Sequence, residues 1–388
     1  MLAARNAVVA AFVLNGFLYA SLVSRLPDLR SELSLSNGAL GLLLLAIAAG
    51  SVIALPATGS LIHRFDAARV VRGGSLAAAG GLFLAAIGAG QLNAVWVCAV
   101  GFFAFGVGTS VWDVSMNVEG AEVERGLGRA IMPRFHAAWS IGSISGAAVG
   151  VPMAALSAPL PLHLGLVGAA VVAVAFRVTG AFLPAEEQKH AASGSARSAW
   201  LEPRTIAIGV MVLAFTVAEG SANDWLSLAL IDGYDVEHWV GVTGYAAFVC
   251  AMTVGRMSGP VLLDRFGRPP VLWASALAAA TGILLVVLGG HLVVAALGVL
   301  VWGCGAALGF PVGMSAAADD PARSAARVSV VATIGYGAFL GGPPLLGWLG
   351  DRVGTLDALL AVAALMVPAA LTVFAARPTH RAVSRTGP

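Results

Sequence analysis

Apolar residues fall along this chain in twelve blocks, most of them near or above the roughly 20 residues that carry a helix across a bilayer core. The blocks are 6–27, 38–62, 68–90, 92–118, 131–157, 160–183, 203–231, 239–263, 269–289, 291–317, 325–349 and 355–376. The pattern predicts twelve transmembrane helices. Several blocks are long, which predicts tilt or extension beyond the lipid. Most connections between them are only a few residues. The exception is "PAEEQKHAASGSARSAW", 184–200, which is polar, charged and rich in Ser, Gly and Ala. It reads as a linker between a six-helix bundle, 1–183, and a second six-helix bundle with a short tail, 201–388.

Basic residues set the expected orientation. With the N-terminus inside, the outer loops hold only Arg25, Arg30 and Arg352 of the 22 Lys and Arg, leaving 19 on or near the cytoplasmic side. Both termini and the linker are then expected to be cytoplasmic. Composition agrees with a membrane chain. Of 388 residues 59% are hydrophobic and 11% charged, against roughly 25% charged in soluble domains, and the mean hydropathy is +0.88. The 48 glycines sit largely inside apolar runs, where they mark close helix packing. The first block is too long for the apolar region of a signal peptide and reads as the first span. A net charge of +2 with scattered basic residues gives no nucleic-acid surface. Cys98, Cys250 and Cys304 are an odd number in separate apolar blocks, so they read as small core residues rather than a disulfide framework. No metal or cofactor is expected.

The two halves echo each other. "GVGTSVWDVSM" in block four answers "GCGAALGFPVGM" in block ten, and "GSLIHRF" after block two answers "GPVLLDRFGR" after block eight. Internal repeats of this kind mark transporters. The "DRFGR" of Asp264–Arg268 resembles the Gly-x-x-x-Asp-Arg-x-Gly-Arg loop of the major facilitator superfamily, with Pro260 at the leading Gly. The copy after block two keeps Gly59 and Arg64 but has His63 and Asp66 elsewhere in the pattern. A third echo, "GWLGDRVG" at 347–354, falls on the outer side. Two stretches, "WDVSMNVEGAEVERGLGRAIMPRFHAAWSIGSISGA" and "AEGSANDWLSL", resemble the branch holding fucose permease and related uncharacterised bacterial inner-membrane transporters. The resemblance implies an all-α integral membrane protein of 12 helices in two pseudo-symmetric six-helix bundles, a bacterial inner membrane, and helices 1, 4, 7 and 10 around a central cavity. It also ties the acid and Asn at Asp113 and Asn117 to proton coupling. Helix one here lacks the acid that fucose permease has, so that mechanism does not carry over whole.

The polar residues inside the blocks are the candidate chemistry. An acid in a membrane is costly unless it is used or paired. Asp113 heads a stripe with Asn117, Gly120 and Glu124 on one helix face. Counted from Leu92, it lies roughly 30 Å along, near the inner edge of the lipid core. Glu219 lies inside the layer on block seven, with Asn223 one turn on. These two acids are the expected proton carriers. Expected to line the cavity are Asn15, Tyr19, Trp112, Asn117, His136, Asn223, Trp302, Phe310 and Met314, with Trp112 as an aromatic wall for a sugar ring. Pro311 is expected to bend helix ten. Arg25 reads as a snorkelling anchor at the outer end. Arg256, Asp264, Arg265 and Arg268 read as an ion-pair latch closing the cytoplasmic side. Each of these residues also has a plain alternative in helix packing or topology.

No Gly-x-x-x-x-Gly-Lys-[Ser/Thr] occurs, so ATP is not the direct driver. The expectation is a monomeric secondary transporter with three partners: a small polar, possibly sugar-like solute, protons and the lipid bilayer. Symport is the first expectation and proton-antiport efflux the alternative. A membrane enzyme would need clustered His and acids or an activated nucleophile at one face. A channel would usually repeat a pore segment around a ring.

Overall fold

A computed structural model describes residues 1–127, 131–183, 196–319 and 323–377. Most of the expected linker and the extreme C-terminal tail lie outside the described residues. Twelve helices are long and apolar enough to cross a membrane, and no strand occurs among the described residues. In chain order they are α1 (Leu2–Val23, extended by Leu26–Glu32), α2 (Asn37–Phe65), α3 (Ala67–Gly90), α4 (Val95–Leu127), α5 (Met132–Ala155) and α6 (Leu160–Val178). The second half holds α7 (Pro203–Ser221, continued through Ala222–Leu226 to Ser227–Tyr234), α8 (His238–Phe266), α9 (Arg268–Leu288), α10 (Leu292–Ala306, then Gly309–Ala317), α11 (Ser324–Val353) and α12 (Thr355–Thr372).

The halves repeat one packing plan. α1 lies on α5 as α7 lies on α11; α3 lies on α4 as α9 lies on α10; and α2 lies on α4 as α8 lies on α10. Glycines make the tightest of these crossings, because without hydrophobic drive in lipid helices associate by close van der Waals contact. A Cβ on Gly108 would collide with the backbone of Gly74 and Ala78, and one on Gly282 with Gly298 and Trp302. The halves meet through α2 against α11 and α5 against α8.

One end of this interface is bolted. At the end away from the termini, Arg30 grips Asp232 with both terminal nitrogens, each at 2.6 Å. Thr355 donates to the same carboxylate at 2.7 Å. Asp351, at the end of α11, accepts the backbone N–H groups of Asn37 (2.7 Å) and Gly38 (2.8 Å) and the Ser36 hydroxyl (3.0 Å), so it caps the first turn of α2 from the opposite half. His238 meets Asp28 at 2.8 Å. At the termini-bearing end the described residues make no hydrogen bond or ion pair with one another between the halves.

Arg25 is not the snorkelling anchor the sequence suggests. It is buried, bonded to Asp28 (2.5 Å), the Ala158 carbonyl (2.6 Å) and His163 (3.3 Å). It sits at the break between the two parts of α1, where three partners balance its desolvation. Of the cysteines only Cys98 is in the core; Cys250 and Cys304 are exposed on the outside of the helices, where lipid is an equally apolar neighbour.

Candidate functional site

The polar groups of mid-membrane collect where the halves face each other. Asp113 comes from α4, which does not stop at the block edge near 118 but runs to Leu127. Asp113 therefore has about 21 Å of helix beyond it toward the termini-bearing end, and lies mid-helix rather than at the inner edge. Asn117, one turn on, donates to the Asp113 carbonyl at 2.8 Å and to its carboxylate at 3.3 Å. Across the interface Asp113 is within electrostatic reach of Tyr336 on α11. The lower stripe has another role: Glu124 accepts the N–H groups of Ile131 (2.6 Å) and Met132 (2.7 Å) and caps α5.

The opposing wall is built by α7 and α8. Glu219 forms an ion pair with Arg256, both carboxylate oxygens lying on Nη2 at 2.9 and 3.0 Å. Arg256 Nε reaches the carbonyl of Ala307 at 3.4 Å. That carbonyl is free for a sequence reason: Pro311, four residues on, has no N–H to give it. The bend expected in α10 is the break between Ala306 and Gly309, just ahead of Pro311.

After Ser221, α7 widens into a π-turn, Ala222–Leu226. Bonds that span five residues rather than four change which side chain follows Glu219 on the same face. The sequence, read as an α-helix, puts Asn223 there. In the structure Asn223 is buried, and Asp224 joins Glu219 in acting on Tyr19 of α1 and Tyr245 of α8. Tyr19 packs its ring 6.1 Å from Trp139, whose indole N–H bonds Asn15 at 2.9 Å. His136 stands exposed on α5, its ring edge-on to Phe12 at 5.3 Å and near enough to Arg256 to act on it electrostatically. On the other side Phe310, Tyr336 and Phe339 form a run of rings with centroids 6.4 and 6.2 Å apart, and Met314 is half-buried.

Besides Asn223, two expected cavity residues are not there. Trp112 is fully buried behind Gly74 of α3, and Trp302 is fully buried edge-on to Phe248 at 5.4 Å. The backbones of both tryptophans lie at the glycine crossings inside each half, Trp112 against Gly74 and Trp302 against Gly282. Nor does the expected latch form as one cluster. Arg256 is committed to Glu219. Arg268 bonds Asp319 (2.7 Å) and Ser315 (2.9 Å) of its own half. Arg265 lies over the Phe266 ring, and Asp264 is exposed with no ion pair or hydrogen bond among the described residues. Sequence reasoning missed Asp232, Asp351 and His238 at the bolted end. It also missed Tyr245, Tyr336 and Trp139 at mid-membrane, since single Tyr and Trp residues in apolar blocks look like packing. No group of three or more His, Cys, Asp or Glu suited to a metal occurs among the described residues.

The family profile of the Major Facilitator Superfamily matches residues 8–342. The uncharacterised transporter y4wD of Sinorhizobium fredii is 32% identical over 371 residues, covering 92% of this chain and 96% of that one. An uncharacterised MFS-type transporter of Yersinia pestis is 30% identical, covering 97% and 94%. Among solved structures, a mutant of the nucleoside transporter NupG superposes with a TM-score of 0.79 at 17% identity, covering 96% and 99%. A D-xylose-proton symporter superposes with a TM-score of 0.72 at 16% identity, covering 96% and 97%.

Proposed function

The chain belongs to the Major Facilitator Superfamily, and from that premise we propose that it is a proton-coupled secondary transporter of a small polar, sugar-like solute. It works by alternating access in a bacterial inner membrane, with both termini cytoplasmic. The observation that carries this reading is the mid-membrane interface. Asp113 of one half reaches Tyr336 of the other electrostatically, and Glu219, paired with Arg256, reaches back to Tyr19, among rings and amides suited to a polar cyclic solute. Carboxylates held there are costly unless they are paired or exchange a proton. Among the described residues Asp113 bonds the amide of Asn117 alone, a partner that orders the side chain without supplying a counter-charge. With Glu219, it is one of our two proton carriers. The polar bolt at the far end, with no such bolt among the described residues at the other, supports an inward-facing state in such a cycle.

The experiment uses proteoliposomes. A panel of sugars, polyols and nucleosides is first screened for thermal stabilisation of the purified protein, and the stabilising solute is then assayed under an imposed pH gradient. Asp113→Asn keeps size and removes the charge. The variant is expected to lose gradient-driven accumulation while still exchanging labelled for unlabelled solute. Accumulation at the wild-type level in Asp113→Asn sinks the proton role. Solute-driven proton efflux instead of influx turns the symporter into an antiporter, a reading that the aromatic run Phe310–Tyr336–Phe339 also supports for apolar cargo.

A further inference from the structure

Resting on that reading, we propose that the transported solute carries a carboxylate, and that Arg256 is the residue that receives it. The argument begins with a contrast between two ion pairs in the same molecule. Arg30 meets Asp232 fork to fork, Nη1 on one oxygen and Nη2 on the other, the geometry in which guanidinium and carboxylate saturate each other. Arg256 meets Glu219 through Nη2 alone, with both oxygens on that one nitrogen. Its Nε is spent on the Ala307 carbonyl, and Nη1 has no partner among the described residues. Half of the fork is therefore open to an incoming acceptor.

The groups around Arg256 decide what the open half takes. From its own half come Glu219 on α7 and Ala307 on α10. From the other half comes His136 on α5, whose ring nitrogens have no hydrogen-bond partner among the described residues. The remaining acids of the interface, Asp113 and Asp224, face the tyrosines Tyr336, Tyr19 and Tyr245. Glu219 already balances the charge of Arg256, so a doubly charged phosphate would leave the site two charges negative. A single carboxylate matches the fork, and its charge is cancelled when one proton enters with it. The incoming carboxylate takes Nη1 and competes with Glu219 for Nη2; Glu219, losing its counter-charge, takes the proton from solution. Binding of solute and proton are thereby one event.

The test uses the full-length protein in detergent and matched neutral and acidic probes: glucose with glucuronate, galactose with galacturonate, xylitol with xylonate. Equilibrium binding and thermal unfolding are read for wild type, R256Q, R256K and E219Q. In at least one pair the acid should bind about tenfold more tightly than its neutral partner. R256Q should abolish that preference, and R256K, which keeps the charge but not the fork, should retain only part of it. In case the lone Glu219 of R256Q unfolds the protein, E219Q keeps Arg256 and removes its competitor; it should bind the acid about tenfold more tightly than wild type. A purely structural pair predicts no gain in E219Q, and that result overturns the proposal. Binding of neutral probes without preference for any acid also overturns it, while leaving transport of a polar solute standing. Acid preference lost in R256Q, with no uptake by proteoliposomes, upholds the subsite and sinks the transport reading instead.

Discussion

At the residue scale, the environment of a charged side chain decides its role more than its identity does. Glu202 stands just before α7, outside the membrane-spanning segments, and bonds Arg327 (2.6 Å), Arg323 (2.9 Å) and Thr205 (3.0 Å). The hydrogen bond from Arg327, above all, holds its carboxyl below the ordinary value. A depressed carboxylate stabilises the fold fully above its unfolded pKa, about 4.3, and that stabilisation is lost as pH falls through the lower folded value. Thermal melts of Glu202→Gln should therefore fall below wild type at pH 7 and converge with it in acid. A constant gap down to pH 3 sinks the assignment. How far the site was legible also turns on single residues. Asp113, Asn117, Glu219 and Tyr19 are visible in the sequence because polar groups in apolar blocks stand out. Arg256 was visible as a charge but was assigned to the wrong neighbours. Its distance from Asp264 along the helix is short, whereas its bond to Glu219 crosses to another helix, and no spacing rule reports that. Trp112 and Trp302 lie in the packed core rather than on a cavity wall, and a large aromatic in an apolar block suits either place.

At the element scale, the twelve spans were legible because lipid demands length and apolarity of every one. The breaks inside them were only partly so. Pro311 announces the interruption of α10, while the π-turn in α7 has no Pro or Gly at its centre to announce it. Glycine carries a sharper prediction. A methyl on Gly108 would meet the backbone of α3, whereas one on Gly80 would meet nothing within 4 Å. Gly108→Ala should destabilise by about 1–3 kcal/mol through overpacking. Gly80→Ala should be neutral or stabilise by up to about 1 kcal/mol from helix propensity. Equal melting temperatures for the two variants sink the close-packing account of the α3–α4 crossing. Pro311→Ala restores an N–H that competes with Arg256 for the Ala307 carbonyl. It should weaken solute binding with little loss of stability, read by titration beside a melt.

At the scale of the whole molecule, the two ends of the interface are unequal. The "GWLGDRVG" echo, noted in the sequence only as lying on the outer side, supplies Asp351 to the bolted end. Its partner loop at Asp264–Arg268 makes no hydrogen bond or ion pair to the opposite half among the described residues. Asp351→Asn loses charge-assisted bonds to α2 worth about 1.5–3 kcal/mol. A cysteine placed at the far mouth should then label about tenfold or more faster, and unchanged labelling sinks the bolt. Asp264→Asn should act in the opposite sense, raising labelling at the termini-bearing mouth, because it weakens the state in which that end is shut.

The bolt at Arg30, Asp232 and Asp351 has a consequence for traffic. If the carrier rests with its far door shut, as the proposed inward-facing state has it, it is ready only for cargo arriving at the near one. Passengers from the far side must wait for the rare moments when it opens, and the concentration that half-fills the carrier from that side rises in inverse proportion to the open fraction. The two faces of one cavity should thus show different apparent appetites for the same solute. Preloading vesicles on the near side should speed entry from the far side, since each departing molecule sends the carrier back with the door already turned.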